Sequence, residues 1–450
     1  MGKTGRLSAL LIATGVLACA TSERDTSRDS SHDAQPRSNR AAPPQAERLA
    51  IFDTVWTTIR DHYYDPSFNG VNWESVRKRY RPRAEHARSE VEFYSLFEEM
   101  VSQLRDAHTV FVPPRSEATA ERVGIGSVGI TLAHIDSLTL VATVDSASDA
   151  FHSGVWPGMV LRAVNDKPVP QLFDESRTHF AGSSSDRAMR GVMHAALLYG
   201  GFLGPTRNFG IDDFSGRRIQ FTVRHRRLST AANVAARRLR SGYGYISFHE
   251  WNLPIAEQFR SELWNMADVA ALIIDLRGNG GGTTESLLHI ASNFVPPGTC
   301  YGGMRTREGG IDRYSTRTLG KIFHKPVVIL VDETSASASE SFSAFMQEIG
   351  RAVIIGNKTC GCTLNQRVKP IRGGSALRWS YRAYVTPAGR ELEGDGITPD
   401  LTVRITREDL RLGRDPVIIA AEKALSGVRV GLRSEGPVRG WQILRNARTR

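Results

Sequence analysis

Apolar residues are spaced in three ways along this chain, and each spacing marks a different stretch. Leu49, Phe52, Trp56 and Ile59 recur at steps of three and four, as do Phe93, Leu96, Phe97, Met100, Val101 and Leu104. That spacing lays one apolar stripe on a 3.6-residue helix, so residues 47–115 are predicted to be an N-terminal helical domain. Residues 120–228 read instead as a β-rich domain, with runs at 128–132 and 138–144 and a closing strand at 218–223. A long, partly helical insertion, 173–214, interrupts it. From Tyr243 continuous apolar runs at 269–276, 326–331 and 353–356 alternate with helical spacing at 255–266, at 287–294 and through Phe342, Phe345, Met346 and Ile349. Buried strands alternating with helices predict a layered α/β core over 235–410. Leu377, Trp379 and Tyr381 alternate, which predicts a hairpin turning at Gly373-Gly374.

Composition narrows the class. The 450 residues are 40% hydrophobic and 23% charged, enough for two or three folded domains. A net charge of +11 suits nucleic acid, but Lys and Arg are spread over the whole chain without zinc-finger spacing or a recognition-helix pattern. Nucleic acid is therefore not an expected partner. Lys3 and Arg6 precede an apolar run at 7–17 that is too short for a membrane span and suits a signal-peptide core. It ends in V-L-A-C, which resembles a bacterial lipobox, so residues 1–19 are expected to be a lipoprotein signal with Cys19 lipidated. Ala20 after it favours an outer-membrane destination, on the periplasmic side of the cell envelope. Residues 20–46 carry almost nothing apolar and are expected to be a disordered tether. Residues 411–450 read as a C-terminal helix and a basic tail.

Two loops carry candidate chemistry. D-L-R-G-N-G-G-G at 275–282 follows a buried strand, and its glycines leave backbone N–H groups unshielded for an anion or oxyanion. No phosphate-loop Lys-Ser/Thr pair follows it, which argues against a nucleotide cofactor. At 332–340 the small residues D-E-T-S-A-S-A-S-E expose hydroxyls where a strand turns into a helix. The bland alternative is that Ser337 and Glu340 form a capping box. Cys300, Cys360 and Cys362 allow one disulfide and a leftover thiol; their spacing is a weak metal signal, and no metal is expected.

Taken in order, six motifs resemble the C-terminal processing peptidases and the tricorn protease core: L-R-D-A-H-T at 104–109, a PDZ-like G-V-x-P-G-M-x-L-x-x-V-N-x-x-P-V from residue 154, the glycine loop, S-A-S-A-S-E, I-I-G-N-K-T-C-G-C and E-G-D-G-I-T-P-D. The resemblance spans about 47–410 and implies a serine peptidase with an inserted PDZ-like domain on a crotonase-like core. It implies Ser337 as nucleophile, with oxyanion donors from Ala338 and the glycine loop. Relatives often carry proline, which has no N–H, at the place of Gly280, so Gly281 is the expected donor. The PDZ-like loop Val128-Gly129-Ile130 would hold a peptide's C-terminus by strand addition. The processing peptidases place a base lysine where this chain has Cys362, although Gln366 keeps the position of its supporting glutamine. A Ser/Lys mechanism is therefore not expected. The tricorn branch uses a histidine, matched by His108, and an acid matched by Glu393. That branch has a serine before the histidine; here it is Ala107. The expected function is a serine endopeptidase acting on cell-envelope polypeptides. The alternative is a non-catalytic member that binds apolar ligands or peptide C-termini.

Overall fold

The computed structural model describes residues 41–114, 126–180, 182–199, 207–223, 226–227 and 234–427. Cys19, the signal segment and the tail after residue 427 lie outside the described residues. The predicted α/β core is built on a six-stranded sheet in the order Ala235–Arg238, Gly244–Ser247, Leu272–Asp275, Val327–Val331, Val353–Gly356 and Leu401–Thr402. The last five strands run parallel, and the first is antiparallel to its neighbour. Alternate residues divide between the two faces. Ile274, Val327, Ile329, Val331 and Ile354 join Phe248, Trp251, Phe259, Phe294 and Phe342 in one core. Ile273, Val328, Leu330 and Ile355 meet Val417, Ala421 and Leu425 of the helix Pro416–Ser426 on the other. Both faces of the sheet are covered, which explains why its strands read as unbroken apolar runs.

The N-terminal helices Gln45–His62, Trp73–His86 and Glu90–Ser102 are present, but they do not form the separate domain expected over 47–115. Their stripes, Phe52, Trp56, Phe93, Phe97 and Met100, share a core with Leu364, Ile371, Leu377 and Trp379 of the rear hairpin. The strand Val110–Val112 pairs antiparallel with that hairpin, Phe111 opposite Leu377. The hairpin itself turns through Arg372–Gly374, with φ of +79° and +80° at Gly373 and Gly374. The expected tether also ends early. Ala41 bridges to Ser89, the Ala42 N–H donates to the Arg88 carbonyl at 3.2 Å, and the first helix begins at Gln45.

The β-rich domain is a sheet in the order Ile130–Ile135, Leu138–Val144, Val160–Val164, Arg207–Asp212 and Arg218–Val223, with Lys167–Pro168 paired to the third. Ile130–Ile135 lies at an edge. The insertion supplies two helices, Val169–Phe180 and Asp186–Tyr199, and the second packs beside that edge strand.

Candidate active site

Two parallel strands of the core deliver the two candidate loops to one place. Val327–Val331 runs into Asp332, whose Oδ1 accepts from the N–H groups of Gly278, Thr334 and Ser335 at 3.1, 3.0 and 3.0 Å. Ser335 Oγ donates to the Leu276 carbonyl at 2.8 Å. Ser339 Oγ donates to the Asn279 carbonyl at 3.0 Å and accepts from Trp251 Nε1 at 2.9 Å. The hydroxyls on either side of Ser337 are thus buried and used up in fastening the serine loop to the glycine loop. Asp275 and Arg277 play a similar anchoring part, since Arg277 is forked onto Asp275 and onto Asp415, the N-cap of the helix Pro416–Ser426.

Ser337 stands apart. It has φ +52° and ψ −114° where the chain enters the helix Ala338–Glu348, a conformation that costs a side-chain-bearing residue roughly 1–3 kcal/mol. Its N–H is held by the Cys362 carbonyl at 2.8 Å and by Glu340 Oε2 at 3.2 Å. Glu340 also takes the N–H groups of Gly361 and Cys362 at 2.7 and 2.8 Å and the Thr359 hydroxyl at 2.5 Å. Burial pushes its carboxyl up, against these hydrogen bonds. Glu340 therefore clamps the 359–362 turn to the serine turn, and the capping reading of this residue holds alongside whatever Ser337 does.

Ala338 N–H, first in the helix, has no acceptor among the described residues. Gly281 lies against the same turn: a Cβ there would stand 2.6 Å from the Ser337 Cβ and 3.0 Å from the Ala338 N. The N–H of Gly281, the donor expected in this loop, is engaged within the loop. It donates to Asn279 Oδ1 at 2.9 Å, so the requirement for glycine here is steric and conformational, at φ +99°. The N–H groups of Gly280 and Gly282 in this loop have no acceptor among the described residues.

On the other side, Asp106, His108 and Glu393 each bring a side-chain atom to within 4.8 Å of the others. The 105–109 turn holds its shape through Asp106, which accepts from the His108 N–H at 2.8 Å and from the Thr109 hydroxyl, while Thr109 in turn accepts from the Ser380 N–H at 3.1 Å. Burial, with the Asp106 charge beside it, pushes the Tyr63 phenol up. Glu393 Oε2 accepts from the Thr363 N–H at 2.6 Å. His108 Nδ1 and Glu393 Oε1 are buried without a partner. The ring keeps an exposed edge, yet the protein around it is dense enough that burial lowers its pKa despite nearby Asp106. Burial, aided by the Asp106 charge, pushes the Glu393 carboxyl up to about 8. These three groups have the donors a divalent cation wants, but an uncharged imidazole beside two acids equally makes a proton relay.

The two clusters meet across residues 360–363. Cys362 O holds Ser337 while the adjacent Thr363 N–H holds Glu393. Cys360 and Cys362 form a disulfide, and Ala107 and Ala336, the neighbours of His108 and Ser337, both pack on it. Cys300 is the free thiol. No hydrogen bond joins the His108 ring to Ser337 among the described residues, as is common before substrate tightens a site. Ser184, from the insertion, was not legible in the sequence: its Oγ accepts from the Ala107 N–H at 2.9 Å, and its carbonyl lies against Gly394, next to Glu393.

Residues 242–403 match the peptidase family S41 model, and residues 44–102 match the tricorn protease C1 domain. The peptidase family S41 match thus takes in the whole serine loop, the glycine loop and Glu393, and the tricorn match takes in the N-terminal helices. It is 28% identical over 378 residues to the chloroplastic C-terminal processing peptidase of Tetradesmus obliquus, covering 80% of this chain and 79% of that one. It is 26% identical over 393 residues to the putative tricorn protease homolog 2 of Streptomyces coelicolor, covering 83% of this chain and 32% of that one. The fold is shared with the photosystem II D1 C-terminal processing protease (TM-score 0.58, 21% identity, 84% and 97% covered) and with mature CPAF (TM-score 0.65, 12% identity, 85% and 97% covered). By these similarities the chain is a serine-type peptidase. No helix among the described residues is long and apolar enough to cross a membrane.

Of the PDZ-like loop, Val128 and Ile130 turn into the domain core at 1% and 2% exposure. Gly129, at φ +73°, passes so close to Ser148 that a Cβ would stand 2.0 Å from the Ser148 Cβ. Gln366 follows a register shift in the hairpin, opposite Ser380.

Proposed function

We propose that this chain is a serine endopeptidase in which Ser337 attacks the scissile carbonyl, His108 takes its proton, and Glu393 steadies the resulting imidazolium. The carrying observation is the 360–363 turn, which fastens the Ser337 turn on one side and Glu393 on the other. An imidazole whose pKa burial depresses is free of its proton at neutral pH and ready to act as base. As the tetrahedral oxyanion forms, the Ala338 N–H and an N–H of the glycine loop packed against it are the donors that would receive it. Cys362 supplies only its carbonyl, since its sulfur is bonded to Cys360.

The edge strand Ile130–Ile135 supports capture of a substrate tail by strand addition, with the loop at Val128-Gly129-Ile130 facing its carboxylate. The substrates proposed are polypeptides of the cell envelope, reached by an enzyme held on the outer membrane through lipid on Cys19. Covalent labelling by a fluorophosphonate tests the chemistry. Wild type should label and hydrolyse casein, and Ser337→Ala should do neither; hydrolysis that survives Ser337→Ala rules this reading out.

A further inference from the structure

Residues 182–190 belong in sequence to the insertion of the PDZ-like domain, yet four of their side chains end on the loops of the site. Ser184 meets Ala107 and Gly394. Ser185 Oγ donates to the Cys360 carbonyl at 2.5 Å. Arg187 donates to the carbonyls of Thr359 and Asp395 at 2.5 and 2.7 Å, and Arg190 pairs with Glu333 at 3.1 Å. Gly182 lies so close to the end of the third helix that a Cβ would stand 2.5 Å from the Ser102 carbonyl oxygen. The segment is a strap laid over the junction of the two clusters.

Hydrogen-bond accounting gives Ser184 a defined part. A serine hydroxyl has one proton to donate. Because Ser184 Oγ accepts from the Ala107 N–H, its own O–H is left to turn toward Glu393, which stands beside the Gly394 that Ser184 packs on. Glu393 otherwise has the N–H and hydroxyl of Thr363, both on Oε2, and its Oε1 is buried without a partner. One hydroxyl, bound to the backbone beneath the base, therefore stands beside an acid with an oxygen still to satisfy. In the tricorn-type pattern the link between base and acid comes from a serine at the place of Ala107, which has no hydroxyl.

We propose that Ser184 is a positioning residue of the relay, lent by the PDZ-like insertion, so that the relay is complete only while strap 182–190 is docked. This rests on the Ser337, His108 and Glu393 reading. The helix Asp186–Tyr199, which begins two residues after Ser184, packs beside the edge strand Ile130–Ile135 and buries Leu197 and Leu198 in that domain's core. A peptide added to the strand would press on the element that carries Ser184. Capture of a substrate tail and readiness of the base are thereby tied to one rigid helix.

The test uses the full chain, with casein as substrate and the His108 ring titrated by NMR. Ser184→Ala should lower kcat about 100-fold, as expected for a misaligned catalytic group, with KM unchanged. The step that the His108 ring senses as Glu393 ionises should move to higher pH, because a carboxyl that loses its donor holds its proton more readily. Ser184→Thr should retain activity, and Ala107→Ser combined with Ser184→Ala should recover most of it. Wild-type kcat with an unmoved His108 titration in Ser184→Ala overturns the proposal. If hydrolysis survives Ser337→Ala, the parent reading falls, and the NMR titration alone still judges the Ser184 link.

Discussion

The turn that presents Ser337 and the cluster around His108 are held by bonds of very different origin. Around Ser337, nearly every fastening comes from the one α/β layer: Asp332, Ser335, Ser339, Asn279 and Glu340 bind backbone groups of loops that follow neighbouring parallel strands. Around His108, the neighbours come from four places: Tyr63 at the end of the first helix, Ser380 in the rear hairpin, Glu393 beyond it and Ser184 in the insertion. The first half is fixed as soon as the sheet forms. The second exists only when distant segments have docked, so it is the half that substrate or a moving domain can adjust.

Removing the base should show the difference most strongly. His108→Ala is expected to lower kcat by about 10²–10⁴, the range for general-base catalysis, and combining it with Ser337→Ala should cost little beyond Ser337→Ala alone because the two act as a unit. Circular dichroism and casein hydrolysis check both points. Additive losses would mean the two residues serve separate steps, and the comparison between the halves would lose its meaning.

Gly281→Ala attacks the rigid half instead. The new methyl would meet Ser337 Cβ at 2.6 Å and the Ala336 carbonyl oxygen at 2.8 Å, at a φ of +99°. A left-handed non-glycine residue costs roughly 1–2 kcal/mol by itself, and here the clash is with backbone that cannot move aside. Activity should fall at least about 10-fold with a lower Tm, whereas Gly389→Ala, at a left-handed glycine with open space around it, should lower Tm and leave kcat alone. Equal kcat losses in both variants would show that the Ser337 turn is not held as tightly as its bonds imply.

The same contrast explains what could be read from the residues alone. The strands and helices of the core, the hairpin and the Ser337 turn follow from local periods and short motifs, because the forces that set them act between near neighbours or across one sheet. The N-terminal helices were visible as stripes, but a stripe does not name its partner, and so their fusion with Leu364, Leu377 and Trp379 was not legible. The bond on the Gly281 N–H was not legible either, because an asparagine two residues earlier turns back to take it, a local bond no motif advertises. Ser184 lay in an insertion without a motif, 77 residues from the backbone group it binds. The missing hydroxyl at Ala107 was the only hint that something else must supply it.

The disulfide gives a smaller effect and a sharper one. Cys362 stands where the processing peptidases carry lysine, and if its side chain took part in proton transfer the pair would be essential. The present reading gives it the role of packing between Ala107 and Ala336, so Cys360→Ala with Cys362→Ala should lower kcat less than about 10-fold while reducing Tm. Loss of all turnover in a folded double variant would return the base to this position and remove His108 from it.

The mildest prediction concerns stability rather than rate. With its pKa pushed up to about 8, folded Glu393 keeps a proton that the unfolded chain releases near pH 4.5. Between those values the native state binds more protons, so this carboxyl makes stability fall as pH rises, and the loss is complete only above the folded pKa. Glu393→Gln removes the titrating group while leaving an amide of the same shape against Thr363. Its Tm should therefore decline less than that of wild type between pH 5 and pH 9, even though its activity is reduced. The Asp106 charge drives part of the shift, so Asp106→Asn should flatten the wild-type slope in the same direction. A steeper decline in Glu393→Gln would mean that the carboxyl is ionised in the resting enzyme and already paired, which would place the imidazole, rather than the acid, as the group that carries the proton before substrate arrives.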